Sequence, residues 1–255
     1  MNTIAVLESG QPQVVLLELR HPPYNHVNVP VLRELADTLE LLDADADCRC
    51  VVLAAEGRVF CAGADFHSDE DTDTARDPGA LYEQAMRLFR TTKPIVAAVH
   101  GAAIGAGLGL AVAVDFRVTC VEARFSANFN RLGFHPGFGL SVTLPHLIGA
   151  QASSMLLYTG RRIGGEEAVR LGLADILAPV DEVRTRALAL AAEIAASAPL
   201  AVQATRATLR RGLADEVTAA NRHEREVQRV HFATADFKEG VQAMAERRAP
   251  RFLGH

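Results

Sequence analysis

The alternation of apolar and polar stretches along the chain predicts an α/β protein. Short apolar runs typical of strands lie at residues 4–7, 14–19, 50–54 and 116–120. Between the second and third of these runs, residues 29–42 place apolar side chains at three- and four-residue steps, as an amphipathic helix does. Strands and helices that alternate in this way favour an α/β architecture.

The last part of the chain predicts helices only. Residues 200–213, 216–230 and 237–247 are rich in Ala, Glu, Arg and Gln and show no strand pattern. Because such helices need partners that bury their apolar stripes, we expect this region to dock on other structure. The sequence therefore divides into a core over residues 1–198 and a helical region over residues 199–255.

A glycine-rich turn lies within residues 93–115, between an apolar strand and a small-residue helix. The turn contains the four glycines Gly101, Gly105, Gly107 and Gly109. A ligand atom can approach backbone N–H groups closely only where side chains are absent or very small, and the start of a helix leaves such groups without internal partners. The turn is therefore a candidate cradle for an oxyanion or a phosphate.

Three other interpretations of this stretch compete with the cradle. Residues 94–114 carry no charge and are just long enough for a transmembrane helix, but glycines cluster at their centre and most of their apolar residues are Ala and Val. A dinucleotide-binding fingerprint would need a glycine where Leu110 stands. The third alternative is a buried strand, turn and helix with no chemistry.

A second small-residue turn follows the strand at residues 50–54. The segment 58–66, RVFCAGADF, places Ala62 and Ala64 where a tight turn opens into a helix capped by Asp65. In this order and about forty residues apart, the two turns closely resemble those of the enoyl-CoA hydratase/isomerase family, the crotonases. Further matches cover nearly the full chain and lie at HPPYNHVN (21–28), LGFHPGFG (132–139), 158–179 and 232–252.

The resemblance implies a fold, an assembly and a substrate class. The expected fold is α/β, a crotonase-like spiral of strand-strand-helix repeats followed by a C-terminal helical trimerisation region. The expected assembly is a homotrimer or a dimer of trimers. The expected substrate is an acyl-CoA thioester, with no cofactor other than the coenzyme A that forms part of the substrate.

The resemblance also assigns the residues of the site. In crotonases each turn lends one backbone N–H to the thioester oxygen, which here makes Ala64 and Ala106 the donors. Losing one such donor in comparable sites costs about 10²–10³ in rate. The substrate contacts implied by the same resemblance are His26, Ala62, Asp65, Phe66, Gly105, Gly109, Phe129, Leu132 and Gly133.

The proton-transfer groups of a hydratase are missing from this sequence. A hydratase of the family uses two glutamates, and the glycine pattern of GAAIGAGLGLA puts Gly109 at the first of these positions. Phe129 stands at the second position, in the segment 123–133. Since neither side chain can carry a proton, ordinary hydration of an enoyl-CoA is not expected.

His135 is the candidate replacement for a proton carrier. It lies in a Gly-Phe-His-Pro-Gly turn at the position where the dihydroxynaphthoyl-CoA synthase branch of the family looks to have an active-site aspartate. Histidine titrates near neutral pH, as a general base should. The alternative is that its side chain only forms hydrogen bonds within the loop.

Composition narrows the class of protein further. With 255 residues, 49% of them hydrophobic, the chain can bury a large core. A net charge of −5 without a long run of Lys or Arg argues against a nucleic-acid partner. The first ten residues show no secretory signal, so we expect a cytoplasmic protein with no membrane partner.

No metal site is expected from the sequence. Cys48, Cys50, Cys61 and Cys120 show no zinc-like pairing with histidines, and we expect them to be reduced thiols. The acidic stretch 68–78 has neither a nearby histidine nor the pattern of a calcium loop. The composition of that stretch indicates a mobile, solvated loop, and the resemblance to the crotonases implies that it covers the acyl group and influences the choice of chain length.

These observations lead to two functional hypotheses. The first is an enzyme that acts on acyl-CoA thioesters by lyase, isomerase or hydrolase chemistry, with two backbone donors and a base other than glutamate. The alternative is a non-catalytic acyl-CoA-binding protein.

Overall fold

The computed structural model describes residues 3–64 and 78–255. Its larger sheet has six strands in the order β1-β2-β3-β4-β6-β9, and the smaller sheet has three in the order β5-β7-β8. The strands are β1 (Ile4–Glu8), β2 (Val14–Leu19), β3 (Cys50–Ala55), β4 (Ile95–Val99), β5 (Ala102–Ile104), β6 (Phe116–Thr119), β7 (Arg124–Ser126), β8 (Arg162–Gly164) and β9 (Ile176–Leu177).

Helices connect and cover these strands. The helices of the first part of the chain are α1 (Val29–Ala44), α2 (Gly79–Leu88), α3 (Ala106–Ala113), α4 (Leu140–Thr159), α5 (Gly165–Leu171) and α6 (Val183–Ala195), with short 3₁₀ helices at Asn128–Leu132 and Val180–Glu182. The last part contains α7 (Pro199–Leu209), α8 (Leu213–His231) and α9 (Ala235–Ala245). The α/β class predicted from the sequence is confirmed.

The larger sheet is parallel except at one edge. The β1 strand pairs with β2 in the antiparallel sense, and the pairs β2-β3, β3-β4, β4-β6 and β6-β9 are parallel. Every residue of β3 and β4 is buried. Both faces of these central strands are therefore covered, which explains why their sequences read as continuous apolar runs without alternation.

The first helix shows how the local sequence sets an element boundary. The side chain of Asn28 accepts a hydrogen bond from the backbone N–H of Val31, and Pro30 lies in the first turn. The cap satisfies an N–H that has no partner inside the helix, and proline has no N–H to lose there. The buried side chains of α1, among them Leu32, Leu35 and Leu39, then face the sheet and its neighbouring helices.

The uncharged run at residues 94–114, for which a transmembrane helix was one interpretation, is not one helix. Residues 94–114 are divided among β4, β5 and α3, which excludes a single spanning helix at this place. No single helix in the described part of the chain is long and apolar enough to cross a membrane. The segments Val180–Ala195 and Pro199–Leu209, bent by 106° at the break between them, pass the same test of length and composition only as a pair.

The tail is fastened to the core of its own chain by buried charges. On α7, the Arg206 guanidinium lies 2.9 Å from the Asp115 carboxylate, and Arg210 lies 3.1 Å from the same carboxylate. The Asp115 side chain also accepts the N–H of Ile95, at the start of β4. One carboxylate thus connects the central sheet to the first helix of the tail.

All four cysteines are free and buried, as expected of reduced thiols. Burial raises the pKa of Cys61 to about 12 and that of Cys48 to about 11. Such thiols stay protonated at neutral pH and are poor nucleophiles. We therefore assign packing roles to them.

Candidate active site

Two backbone hydrogen bonds join the two glycine-containing turns. The N–H of Cys61 donates to the carbonyl of Ala102 at 2.9 Å, and the N–H of Ile104 donates to the carbonyl of Cys61 at 3.0 Å. The first turn is thereby held against β5, immediately before the start of α3. Segments about forty residues apart in sequence are brought into contact, as the sequence predicted.

Two glycines allow this close approach. Gly63 has φ +107, a conformation that side chains with a Cβ rarely adopt, and a Cβ there would lie 3.0 Å from the carbonyl oxygen of Ile104. At Gly107 any Cβ would overlap the carbonyl of Cys61. The distance between the turns is therefore fixed by backbone contact.

The turns present two backbone N–H groups without protein acceptors. Ala106 is the first residue of α3, where a helix leaves its N–H groups unpaired. Within residues 3–64 and 78–255, neither Ala64 nor Ala106 donates its N–H to another protein group. A Cβ placed on Gly63, the neighbour of Ala64, would lie 3.9 Å from the nitrogen of Ala106. Two free donors thus lie close together.

Both donors line one cavity of about 630 Å³. Of the residues predicted from the sequence, it is lined by His26, Ala62, Ala64, Gly105, Ala106, Phe129 and Leu132. The α9 helix contributes Met244 and Ala245, so the tail of the chain closes one side of the cavity. The predicted residues Asp65 and Phe66 lie outside the described residues.

One end of the cavity is aromatic. The rings of Phe129 and Phe134 meet edge to face with centroids 5.4 Å apart, and the ring of Phe134 lies 5.1 Å from that of Phe232. Phe129 and Phe134 are almost entirely buried. This end suits an apolar group and offers no carboxylate among the described residues that line it.

The place beside Gly109 is occupied by Phe138. Gly109 is not among the residues that line the cavity, because its α-carbon faces the Phe138 ring and a Cβ would overlap that ring. Phe138 is fully buried and has φ +61, an uncommon conformation for a residue with a side chain. A carboxylate on Gly109 would therefore find no room.

His135 and Gly133 line a second cavity, of about 540 Å³. The backbone N–H of His135 donates to Nδ1 of His231 at 3.0 Å, and the Nδ1 of His135 lies 2.7 Å from the carbonyl of Pro136. The structure does not bring the His135 ring together with the two free amides. Its catalytic role remains a prediction.

The position of the proton on the His231 ring follows from its hydrogen bond with the backbone of His135. A backbone N–H can only donate, so Nδ1 of His231 is the acceptor and its proton resides on Nε2. Burial, and then the neighbouring His135, lower the pKa of His231. His231 is therefore neutral at pH 7.

A buried chain of hydrogen-bonded polar side chains connects the first cavity to this loop, and no pattern in the sequence predicts it. The hydroxyl of Tyr82, a residue of the first cavity, donates to Oε1 of Gln228 at 3.0 Å, and Nε2 of Gln228 donates to the carbonyl of His135 at 2.8 Å. Burial raises the pKa of Tyr82, so its hydroxyl is neutral. The partners are separated by 146 residues, a distance at which no local pattern can reveal a contact.

His26 and two arginines also line the first cavity. Nδ1 of His26 lies 3.2 Å from the carbonyl of Gly63, which can only accept, so the Nδ1 carries the proton. Arg124 and Arg162 lie on the neighbouring strands β7 and β8 and also line the cavity. In the described part of the chain, no three His, Cys, Asp or Glu side chains form a group that could hold a metal ion.

The chain resembles proteins of one family over nearly its whole length. The family model described as enoyl-CoA hydratase/isomerase matches residues 9–255. A probable enoyl-CoA hydratase of Bacillus subtilis is 34% identical over 94% of this chain and 95% of its own. A crotonyl-CoA hydratase of Syntrophomonas wolfei is 32% identical over 97% of both chains.

A solved structure shows the same fold. The crystal structure of an enoyl-CoA hydratase/isomerase from Pseudoalteromonas atlantica superposes with a TM-score of 0.87 and 30% sequence identity. The match covers 98% of this chain and 100% of that one.

Proposed function

Because this chain belongs to the enoyl-CoA hydratase/isomerase family, we propose that it is an enzyme that holds the thioester oxygen of an acyl-CoA on the N–H groups of Ala64 and Ala106. The observation that carries the proposal is the pair of unpaired amides at one cavity, held together by backbone contact. Family membership and the fold expected from the sequence are confirmed by the comparisons.

The chemistry follows from the charge that develops on the thioester oxygen. When a proton leaves the carbon next to the carbonyl, or a nucleophile adds, the oxygen becomes negatively charged. Two N–H groups already in place stabilise that charge without reorganisation, and each contributes several kcal/mol to lowering the barrier. The apolar surroundings strengthen these hydrogen bonds because they exclude water.

We propose reactions other than hydration for this site. Phe138 fills the space beside Gly109, and Phe129 stands at the second glutamate position of the family pattern. A hydratase must hold a water molecule and move its protons, and neither phenyl ring can do so. Isomerisation, C–C cleavage and thioester hydrolysis remain as the reaction classes to assay, with hydration of crotonyl-CoA as the expected negative.

Proline at residue 106 tests the second donor. Proline lacks an N–H and is well tolerated at the first position of a helix, which Ala106 occupies. We expect Ala106→Pro to fold and to lower kcat/KM by about 10²–10³. The matched control Ala106→Gly keeps the N–H and should retain activity. Equal activity of the proline variant and the wild type would contradict the proposal.

His135 is tested separately from the donors. His135→Gln keeps a side chain of similar length but cannot act as a base near neutral pH. If the ring takes part in proton transfer, turnover falls while binding of the thioester is retained. Unchanged turnover would remove His135 from the mechanism and leave it a loop residue that binds Gln228 through its carbonyl.

The alternative function is binding without turnover, and one observation favours it. The described residues that line the cavity include no carboxylate to serve as a base. Calorimetry with acyl-CoA thioesters, followed by mass spectrometry of the same mixtures, separates the two functions. Tight binding without any product supports the binding protein, and product above background supports the enzyme.

A further inference from the structure

One residue, Phe134, is shared by the linings of the two cavities of the site region. Phe134 lines the first cavity, which contains the free amides, and also the second cavity, which contains His135 and His231. Since the cavities have volumes of about 630 and 540 Å³, the second is large enough for several methylene groups. We call Phe134 the partition between the two spaces, because among the described residues it is the one that lines both.

Neighbouring rings hold this partition in place. Phe134 contacts Phe129 and Phe237 edge to face, at centroid distances of 5.4 and 5.7 Å, and Phe232 at 5.1 Å. Aromatic pairs at such distances are favourable beyond the burial of their area. Phe134 is 5% exposed, so the ring has little free space for another orientation.

The far side of the partition is a mixed surface. Leu157 and Pro145 of α4 provide apolar area, and Ser154 of the same helix lies beside them. His135 and His231 form the polar part. This composition accommodates an apolar chain along the helix.

We propose that Phe134 ends the acyl compartment and thereby sets the longest acyl chain that the protein accepts. The inference rests on the proposed function, since it takes the thioester oxygen to lie at the two amides. In the wild type the chain stops at the Phe134 ring. A small side chain at this position joins the two cavities, and the second cavity becomes the distal compartment for longer acyl chains.

The test is a binding series with saturated acyl-CoA thioesters from butanoyl-CoA to hexadecanoyl-CoA. For the wild type, affinity should rise about four-fold for each methylene that finds buried space, and then stop rising at the length that reaches Phe134. Phe134→Ala should move that limit to longer chains, and the milder Phe134→Leu should do so if the alanine variant fails to fold. Met244→Ala is the matched control, since Met244 lines the first cavity but not the second.

A second substitution identifies the space that the longer chains enter. Ser154 faces the second cavity but does not line the first, so Ser154→Phe in the Phe134→Ala background should restore the shorter limit. An unchanged limit in both Phe134 variants, or an equal shift in Met244→Ala, would overturn the inference. If the wild type binds none of these thioesters, it is the proposed function that fails.

Discussion

At position 109 the residue type is explained by its neighbour. The ring of Phe138 lies where a side chain on Gly109 would extend, so the two positions share one space. By the resemblance to the crotonases, a hydratase of the family is predicted to carry its first glutamate at this position. On that prediction, a change from glutamate to glycine involves a pair of residues, because a carboxylate at 109 also requires a smaller residue at 138.

Substitutions at the pair should be coupled. We expect Gly109→Ala to destabilise the protein by about 1–3 kcal/mol, since a methyl group there must displace the buried Phe138 ring. Combined with Phe138→Ala, the same substitution should cost less, because the ring is gone. Urea unfolding of the two single variants and the double variant measures this coupling. Additive free energies would show that the positions are independent.

Single residues differ in how far the sequence alone could place them. The donor roles of Ala64 and Ala106 are predicted from the resemblance to the crotonases, and the glycine-rich turns that carry this resemblance are visible in the sequence. The orientation of His135 is not visible there, since its loop is held by Gln228 and His231 of α8, almost a hundred residues away. Phe138 gave no signal, because a phenylalanine in a loop is compatible with many roles.

At the scale of elements, a carboxylate on a tail helix caps the N-terminus of α4, a helix of the core. The buried Glu224 on α8 accepts the N–H groups of Gly139 and Ser141, at 2.8 and 3.1 Å, and the hydroxyl of Ser141. These N–H groups lie at the start of α4, where a helix has unpaired donors and attracts negative charge. The tail thus fixes the loop that carries Phe134, His135 and Phe138.

Removing this charge should weaken the whole fold. We expect Glu224→Gln to lower the free energy of unfolding by about 1.5–3 kcal/mol, because an amide keeps the shape but loses charge-assisted hydrogen bonds. Chemical denaturation measures the loss. The control is Glu226→Gln on the same helix, where the side chain is exposed and the expected change is within about 0.5 kcal/mol. Equal losses in both variants would show that the capping contacts contribute nothing.

Elements with a long pattern could be predicted, and short ones could not. The helix predicted at residues 29–42 is observed as α1, and the three predicted tail helices are observed as α7, α8 and α9 with shifted ends. The strands β5, β7 and β8 have three residues each, too few to show a period of two. They form the small sheet that positions the second turn, so this part of the site required the structure.

At the scale of the whole molecule, the cavity lies where the core and the tail meet. Met244 and Ala245 of α9 line the same cavity as the two amides of the core. The boundary predicted after residue 198 therefore does not separate the site from the tail. Assembly into a homotrimer or a dimer of trimers stays a prediction, and the tail presents exposed apolar residues such as Leu200 and Leu209 on α7.

Acid should weaken the ion pair that connects strand β2 to helix α6. The Glu18 carboxylate of β2 binds Arg20 and, across the fold, Arg184 of α6. Burial raises the pKa of Glu18, but the hydrogen bonds from the two arginines outweigh it and leave the pKa below the usual value of 4.5. This contribution to stability is present above about pH 4.5 and is lost as the pH falls through the lowered pKa.

A pH series of unfolding experiments checks this contribution. The free energy of unfolding of the wild type should fall on acidification below about pH 4.5, and Glu18→Gln should be less stable at neutral pH and show a smaller acid-dependent loss. Glu122→Gln offers a control on an exposed carboxylate. Parallel pH curves for the wild type and Glu18→Gln would exclude Glu18 as a source of the acid dependence.

The contact of Gly107 with the carbonyl of Cys61 has a consequence for how such proteins diverge. The spacing of the two amide groups is set by contacts between main-chain atoms of the two turns. Under the proposed function, proton carriers nearby can be exchanged or lost over evolutionary time while the two amides that bind the thioester oxygen are inherited intact. New reactions can then evolve that pass through the same oxyanion intermediate, provided that Gly63 and Gly107, which let the turns touch, are kept.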